Sequence, residues 1–323
     1  MKNVITFCWL LGMLFLGNLT WGQGQNIAFR VSNDTISSGN TNVGLNTGLN
    51  TMLPGRNNSF FGSYSGHDNT AGSDNCFYGH DAGYYNQIGN GNVNVGTRSG
   101  YKNISGSGNT YLGNHAGNQV NGYYNTFIGR GAYRTSSRGN RNVAIGANVG
   151  EQSNGDENTY IGHSAAYNTE GNRNVFIGFE SGYHEQGSDK LCISNDRNGN
   201  LIYGDFSTNQ VGINTENLGN HTLSVCGSIL STEILVESGW CDYVFHDDYE
   251  LATLAAEAQH IQEKGHLSGF QSAEEMNGEI QLGDVTKRQQ VKLEEMMLHM
   301  IAMSERLDKM EAENSQLKAQ LNR

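Results

Sequence analysis

Apolar residues are sparse over the first two thirds of this chain, yet they fall on a fixed spacing. An Asn, three residues and a Gly recur nine times, beginning at Asn40, Asn58, Asn75, Asn92, Asn109, Asn125, Asn142, Asn158 and Asn174. The closing glycines lie 18, 17, 17, 17, 16, 17, 16 and 16 residues apart. A fixed period of this kind marks a stacked repeat in which each copy adds one layer. Three or four residues after each glycine comes a pair of small residues, often followed by an aromatic, as in Ala82-Gly83-Tyr84, Ser99-Gly100-Tyr101, Ala165-Ala166-Tyr167 and Ser181-Gly182-Tyr183. The pattern predicts one short strand, a turn, a second tight segment and another turn per rung.

Side chains alternate between the two faces of a strand. The second and fourth positions of the motif therefore share a face: Thr126 with Ile128, Val143 with Ile145, Val175 with Ile177, and Ile161 in the same place. Their β-branched shapes suit a thin stacked core. The third position then points the other way, and it carries Phe60, Phe77, Tyr111, Phe127, Tyr160 and Phe176. An outward column of rings would form an exposed patch, and the expectation is that neighbouring chains bury it. The recurrent asparagines tolerate turn geometry and can ladder from copy to copy.

The periodicity changes near Gln186. Short alternating runs at 191–193, 201–203, 210–213 and 221–225, separated by Asn/Gly turns, predict a β-rich connector over 188–238. From Trp240 the pattern becomes helical, with Asp248 as the expected cap of a helix through Tyr249, Leu251, Leu254 and Ile261 that stops before Gly265. The tail carries a seam at alternating intervals of 3 and 4: Leu293, Met296, Met300, Met303, Leu307, Met310, Asn314, Leu317 and Leu321. That is the a/d spacing of a coiled coil, with Asn314 as the polar residue that fixes register. Dimer and trimer are both open to such a seam.

Composition sharpens this reading. Of 323 residues, 43 are glycine and only one is proline, and 16% are charged. The net charge of −12 disfavours nucleic acid and anionic membrane surfaces, which need a basic face. Residues 1–22 read as a signal peptide, with Lys2, an apolar run from Val4 to Leu16, and small residues at Thr20 and Gly22. The remaining boundaries are 23–39 for a lead-in, 40–187 for the repeats, 239–285 for an α-containing module and 286–323 for the coiled coil. No second hydrophobic segment follows residue 22, so an exported chain without membrane insertion is expected. Cys76, Cys192, Cys226 and Cys241 match no disulfide framework or zinc spacing, and either disulfides or free thiols are compatible with them.

Candidate chemistry is thin. His80, His115 and His163 sit at unequal offsets from their rung glycines and would not stack into a ligand set. The acidic run around His246 (Asp247, Asp248, Glu250) is accounted for by capping. The aliphatic–Gly step falls every 16–18 residues and not every six, as hexapeptide acyltransferases require. The rungs are also too short for pectate-lyase-like helices, and the Gly-Gly-x-Gly-x-Asp calcium repeat is absent. Threonine is not constant at the second position, which removes an ice-binding face. No enzyme, cofactor or metal is expected.

The copies Asn142-Val-Ala-Ile-Gly146 and Asn174-Val-Phe-Ile-Gly178 resemble the head repeat of trimeric autotransporter adhesins, over roughly residues 40–185. That resemblance implies a mainly β fold, a left-handed parallel β-roll or solenoid in a homotrimer. The rungs here are slightly longer. Members of that family end in a membrane β-barrel strand pattern that Ala319-Gln-Leu-Asn-Arg323 lacks, so their anchoring is not implied. Residues 240–310 resemble a tail-fibre-like module of secreted Bacteroidota repeat proteins. The matching residues are Trp240-Cys-Asp-Tyr-Val-Phe245, Tyr249-Glu-Leu251, Gly265-His-Leu267, Ser272-Ala-Glu-Glu275 and the helix from Leu293 to Met303; Ser268 and Gln271 replace prolines. The Ser-Asp-x-Arg start of self-cleaving phage-fibre chaperones is not found. The expected function is a non-catalytic extracellular adhesive or structural fibre, with itself and a cell-surface glycan or protein as partners. A phage-like tail-fibre component and a polysaccharide-processing solenoid are the alternatives.

Overall fold

The computed structural model describes residues 29–31, 39–52, 54–236, 242–276 and 280–321. The expected signal peptide, most of the lead-in, Trp240 and Cys241 lie outside the described residues. The chain divides into two compact units, Met1–Ile229 and Leu230–Arg323.

The first unit is a parallel β-solenoid. Its nine rung strands are β2 (Thr41–Val43), β3 (Ser59–Phe61), β4 (Cys76–Tyr78), β5 (Val93–Val95), β6 (Thr110–Leu112), β7 (Thr126–Ile128), β8 (Val143–Ile145), β9 (Thr159–Ile161) and β10 (Val175–Ile177). Each pairs in parallel with the next, position for position, so that Phe127 lies beside Tyr111 and Ala144. The stack is bounded by reversals of strand direction. At one end β1 (Phe29–Val31) pairs antiparallel with β2. At the other, β11 (Lys190–Ile193) adds in parallel to β10 and then turns back through β12 (Ile202–Asp205) and β13 (Gln210–Ile213). The last strand, β14 (Leu223–Val225), runs parallel to β13. The expected connector thus continues the solenoid's own sheet.

The expected facing of the strands is inverted. Phe60, Phe77, Tyr111, Phe127, Tyr160 and Phe176 are fully buried inside their own chain, not against neighbours. Ile128, Ile145, Ile161 and Ile177, expected in the core, point outward. The reason is volume: only the middle residue of a three-residue strand enters the lumen, and a stacked ring fills it better than a β-branched side chain.

The motif asparagines form a buried ladder. Asn109 Nδ2 donates to Asn92 Oδ1 at 3.0 Å and to the Gly122 carbonyl at 2.7 Å, while its own Oδ1 accepts from Asn125 N at 2.9 Å. The same bonds recur from Asn40 to Asn174 and tie each strand start both to the rung before it and to the turn that closes its own rung. The glycine that ends each strand is forced by rung spacing. A Cβ on Gly62 would lie 2.6 Å from the Gly79 carbonyl oxygen, and its φ is +124°.

The second unit is helical. A 3₁₀ turn (Asp242–Phe245) precedes α1 (Leu254–Lys264) and the 40-residue α2 (Leu282–Leu321). The α1 helix starts later than expected. Thr253, not Asp248, is its N-cap and accepts from Ala256 N, because Tyr249 and Leu251 are held in the segment before it; Gly265 closes it in left-handed geometry.

Asn109→Ala removes a donor and an acceptor, leaving Gly122 O and Asn125 N buried without partners. Each orphan costs about 1–3 kcal/mol, so a loss of about 3 kcal/mol of unfolding free energy is expected, measured by denaturant titration followed by circular dichroism.

Candidate functional site

The inward column decides which surface is left to do other work. Stacked rings run along it with centroids 4.8 Å apart for Phe60–Phe77, 5.0 Å for Tyr111–Phe127 and 5.2 Å for Tyr160–Phe176. These spacings follow the distance of about 4.8 Å between strands. At β8 the column holds only Ala144, and the missing ring comes from elsewhere in sequence. Tyr133, at a small-pair position, stacks on Phe127 at 4.4 Å and faces Tyr160 at 6.2 Å. Room for it depends on Gly150, where a Cβ would come within 2.4 Å of the Tyr133 ring. Burial raises the pKa of the Tyr111 and Tyr133 phenols and pushes that of Tyr160 up to about 12.

Two inward positions are polar: Asn42, at the first rung, and Asn94 in β5, within the column. Asn94 is the one that interrupts it. It is fully buried, and among the described residues neither amide atom has a hydrogen-bond partner. It separates the Phe60–Phe77–Ala82 cluster from the longer cluster that begins at Tyr111.

Alternation places the second and fourth strand residues on the outer face. The fourth-position column reads Phe61, Tyr78, Val95, Leu112, Ile128, Ile145, Ile161 and Ile177; Phe61, Leu112, Ile145, Ile161 and Ile177 are each about 36–45% exposed, and Tyr78 is 60% exposed. Beside it run Ser59, Cys76, Val93, Thr110, Thr126, Val143, Thr159 and Val175, all part or fully exposed. The two columns make a mainly apolar strip without charged residues, about 34 Å from its first strand to its eighth at strand spacing. A contiguous strip of that length is unusual on a solvated surface.

The helical unit has a second such strip. Leu293, Met296, Met300, Met303, Leu307, Met310, Leu317 and Leu321 are all about half exposed or more, and Asn314 on the same seam is exposed too. The first turns of α2 do dock on their own unit, but through a polar side. Lys292 Nζ donates to Ser268 Oγ and Glu295 Oε2, both at 2.8 Å, and lies 3.5 Å from Glu257. The Tyr249 hydroxyl donates to Glu295, which raises the phenol's pKa behind the larger effect of burial, and Arg288 holds the Gly269 carbonyl at 2.7 Å. Met296 lies beside Leu254 and Leu267 of its own unit, and from Met300 onward the apolar seam is exposed.

The remaining candidates are dispersed. His163 stacks on Phe179 at 5.5 Å, and His80 lies 3.2 Å from Asp81. Desolvation, followed by nearby arginines, lowers the pKa of His115. Among the described residues there is no group of three His, Cys, Asp or Glu side chains placed to hold a metal, and Cys76, Cys192 and Cys226 are free. The sequence reading missed an aromatic corner on rungs two to four, where His67 stacks on Tyr84 at 4.7 Å and Tyr101 follows, tilted, at 5.4 Å. Its signal was present: these are the residues directly after the small pairs, repeated at the rung period.

If Tyr133 stands in for the ring that Ala144 lacks, the two positions are coupled. Ala144→Phe overfills the column and Tyr133→Gly empties it, and each is expected to lower the melting temperature. The double variant Tyr133→Gly/Ala144→Phe restores one ring per rung and is expected to be more stable than the sum of the single effects by about 1–3 kcal/mol. Additive losses in thermal melts would disprove the exchange. Compared with known proteins, the chain matches no family model, no curated protein and no solved structure.

Proposed function

We propose that the chain is a subunit of an extracellular, non-catalytic fibre, a homotrimer that presents repeated surfaces for adhesion. The observation that carries the reading is the uncovered strip on the solenoid's outer face. A strip with a strand-spaced apolar ladder is matched best by a surface of the same pitch, and another copy of this chain has one. Two further stretches ask for the same partner. Residues 229–236 carry Ile229, Leu230, Ile234, Leu235 and Val236, all well exposed. The α2 seam has coiled-coil spacing and is exposed from Met300 onward. Three chains side by side would cover the strip around one axis, in keeping with the resemblance of the rungs to trimeric autotransporter heads.

The rings of the inward column are buried within one chain, so the solenoid is expected to fold before or without association. The oligomer then adds coverage of the strip and multivalency, which raises avidity for a repeated surface ligand without new contacts per site. The phage-like alternative differs in its route of assembly. Retention of residues 1–22 in particle-bound protein would favour it.

Two sets of substitutions separate the roles of the faces. Ile145→Asp with Ile161→Asp, on the outer strip, is expected to leave the far-ultraviolet circular dichroism unchanged and to convert trimer to monomer by light scattering. Phe127→Asp with Phe176→Asp, in the column, is expected to unfold the solenoid itself, since each buries a charge without a partner. An unchanged trimer from the first pair would sink the assembly model.

A further inference from the structure

The repeat ends at β11. After β11 the chain turns back instead of completing a tenth rung, and the exposed top of rung nine meets the β11–β12 turn and the loop after β13. An open surface cleft of about 390 Å3 lies between them, its volume inside the range of roughly 300–1,000 Å3 seen for small-molecule sites. Tyr183, Glu185, Arg197, Asn198, Asn200 and Glu216 form its functional lining.

The chemistry of that lining is selective. Arg197 is already engaged: it holds Glu180 through two bonds of 2.9 and 2.8 Å and stacks over the Tyr183 ring at 4.2 Å. Tyr167 covers the other face of the same ring at 4.9 Å, so Tyr183 offers the ligand an edge and not a platform. Lys190, the cation nearest Glu185 in charge effect, is bound to Asp205 at 2.6 Å. Among the described residues no uncommitted lysine or arginine lines the cleft, which disfavours phosphate, sulfate and carboxylate ligands. The wall is also mostly polar, which disfavours apolar ones.

What the cavity does offer is hydrogen-bonding capacity. Glu216 is oriented by Asn200 Nδ2 at 2.8 Å and keeps a second carboxylate oxygen. Glu185 is half buried in the same wall, and burial, with the charge of Glu216 behind it, raises its affinity for a proton. The Asn198 amide side chain supplies both a donor and an acceptor. Two carboxylates flanked by amides match ligands that bring many donors of their own.

We propose that this cavity is a saccharide site, taking a hydroxyl-rich, non-acidic sugar segment, with amine-bearing sugars favoured by the two carboxylates. The site rests on the adhesive reading above and gives that reading a ligand class. Carboxylate oxygens of Glu185 and Glu216 accept from ring hydroxyls or an ammonium, and the Asn198 and Asn200 amides bridge between hydroxyls.

The test is calorimetric titration of the full chain with tetrasaccharides of glucosamine, N-acetylglucosamine and galacturonic acid. The first two are expected to bind, glucosamine more tightly, and the acidic one not. Glu216→Gln removes a charge-assisted acceptor and is expected to weaken the glucosamine oligomer about tenfold. Asn198→Ala provides a second reading should Glu216→Gln perturb the fold, and a weakening of binding is expected there as well. Heat from none of the three sugars, preference for galacturonate, or wild-type affinity in both variants would each overturn the site. Light scattering on the same samples keeps the two proposals apart. A trimer that binds no sugar removes the site and leaves the assembly, whereas a monomer that binds sugar removes the assembly and leaves the site.

Discussion

One geometric constraint governs the solenoid: each rung of 16–18 residues closes around a lumen that admits one inward side chain per strand. With strands about 4.8 Å apart, a column of flat rings is a natural filling, and the centroid spacings of 4.8–5.2 Å follow from it. Other features fall into line behind that column. The second small residue of each pair is usually glycine because a ring lies over it; a Cβ at Gly83 would come 2.4 Å from Phe77. Where the strand supplies only Ala144, Tyr133 leans in to keep one ring at that level. Where it supplies Asn94, the column is interrupted.

Much of this was legible in the residues. Nine copies of Asn-x-x-x-Gly located nine strands to within a residue, and the asparagine ladder followed from their stacking. The facing of the strands did not follow. A period of two states which residues share a face but not which face is inside, and both candidate columns here were apolar. The β-branched second and fourth positions made an outward ring column the expectation. The evidence against it lay in the small pairs, whose glycines leave space for something large in the same rung, and in the complementary sizes of Tyr133 and Ala144. The cavity at the end of the solenoid was not legible at all, since it exists only because the chain reverses after β11. In the helical unit, a long C-terminal helix was readable from spacing, but the late start of α1 at Thr253 depended on tertiary contacts of the segment before it.

Electrostatics contributes to order more than to strength. Ion pairs link successive rungs: Asp81 with Arg98, Arg141 with Glu157, Arg173 with Asp189, Glu180 with Arg197. Apart from the buried Asp81, these charges are partly or fully exposed, and exposed pairs contribute little apiece. Their value lies in sequence. A parallel in-register stack places equivalent positions beside one another, so a repeated charge would face its own copy. Opposite charges on neighbouring rungs turn that repulsion into a preference for the correct register and against a slip by one rung.

The direction of the hydrogen bonds has a mechanical consequence. In this solenoid the backbone bonds between rungs run along the long axis, so tension applied at the two ends would load the rung contacts in series. A single chain would then yield by peeling, one rung at a time from whichever end is weaker, each step releasing roughly 55 Å of extended chain. The asparagine ladder crosses every one of those contacts and the ring column most of them, which sets similar thresholds along most of the stack. The interruption at Asn94 is the natural place for a lower one. A fibre built this way would lengthen in steps under shear and shed force gradually instead of breaking in one event.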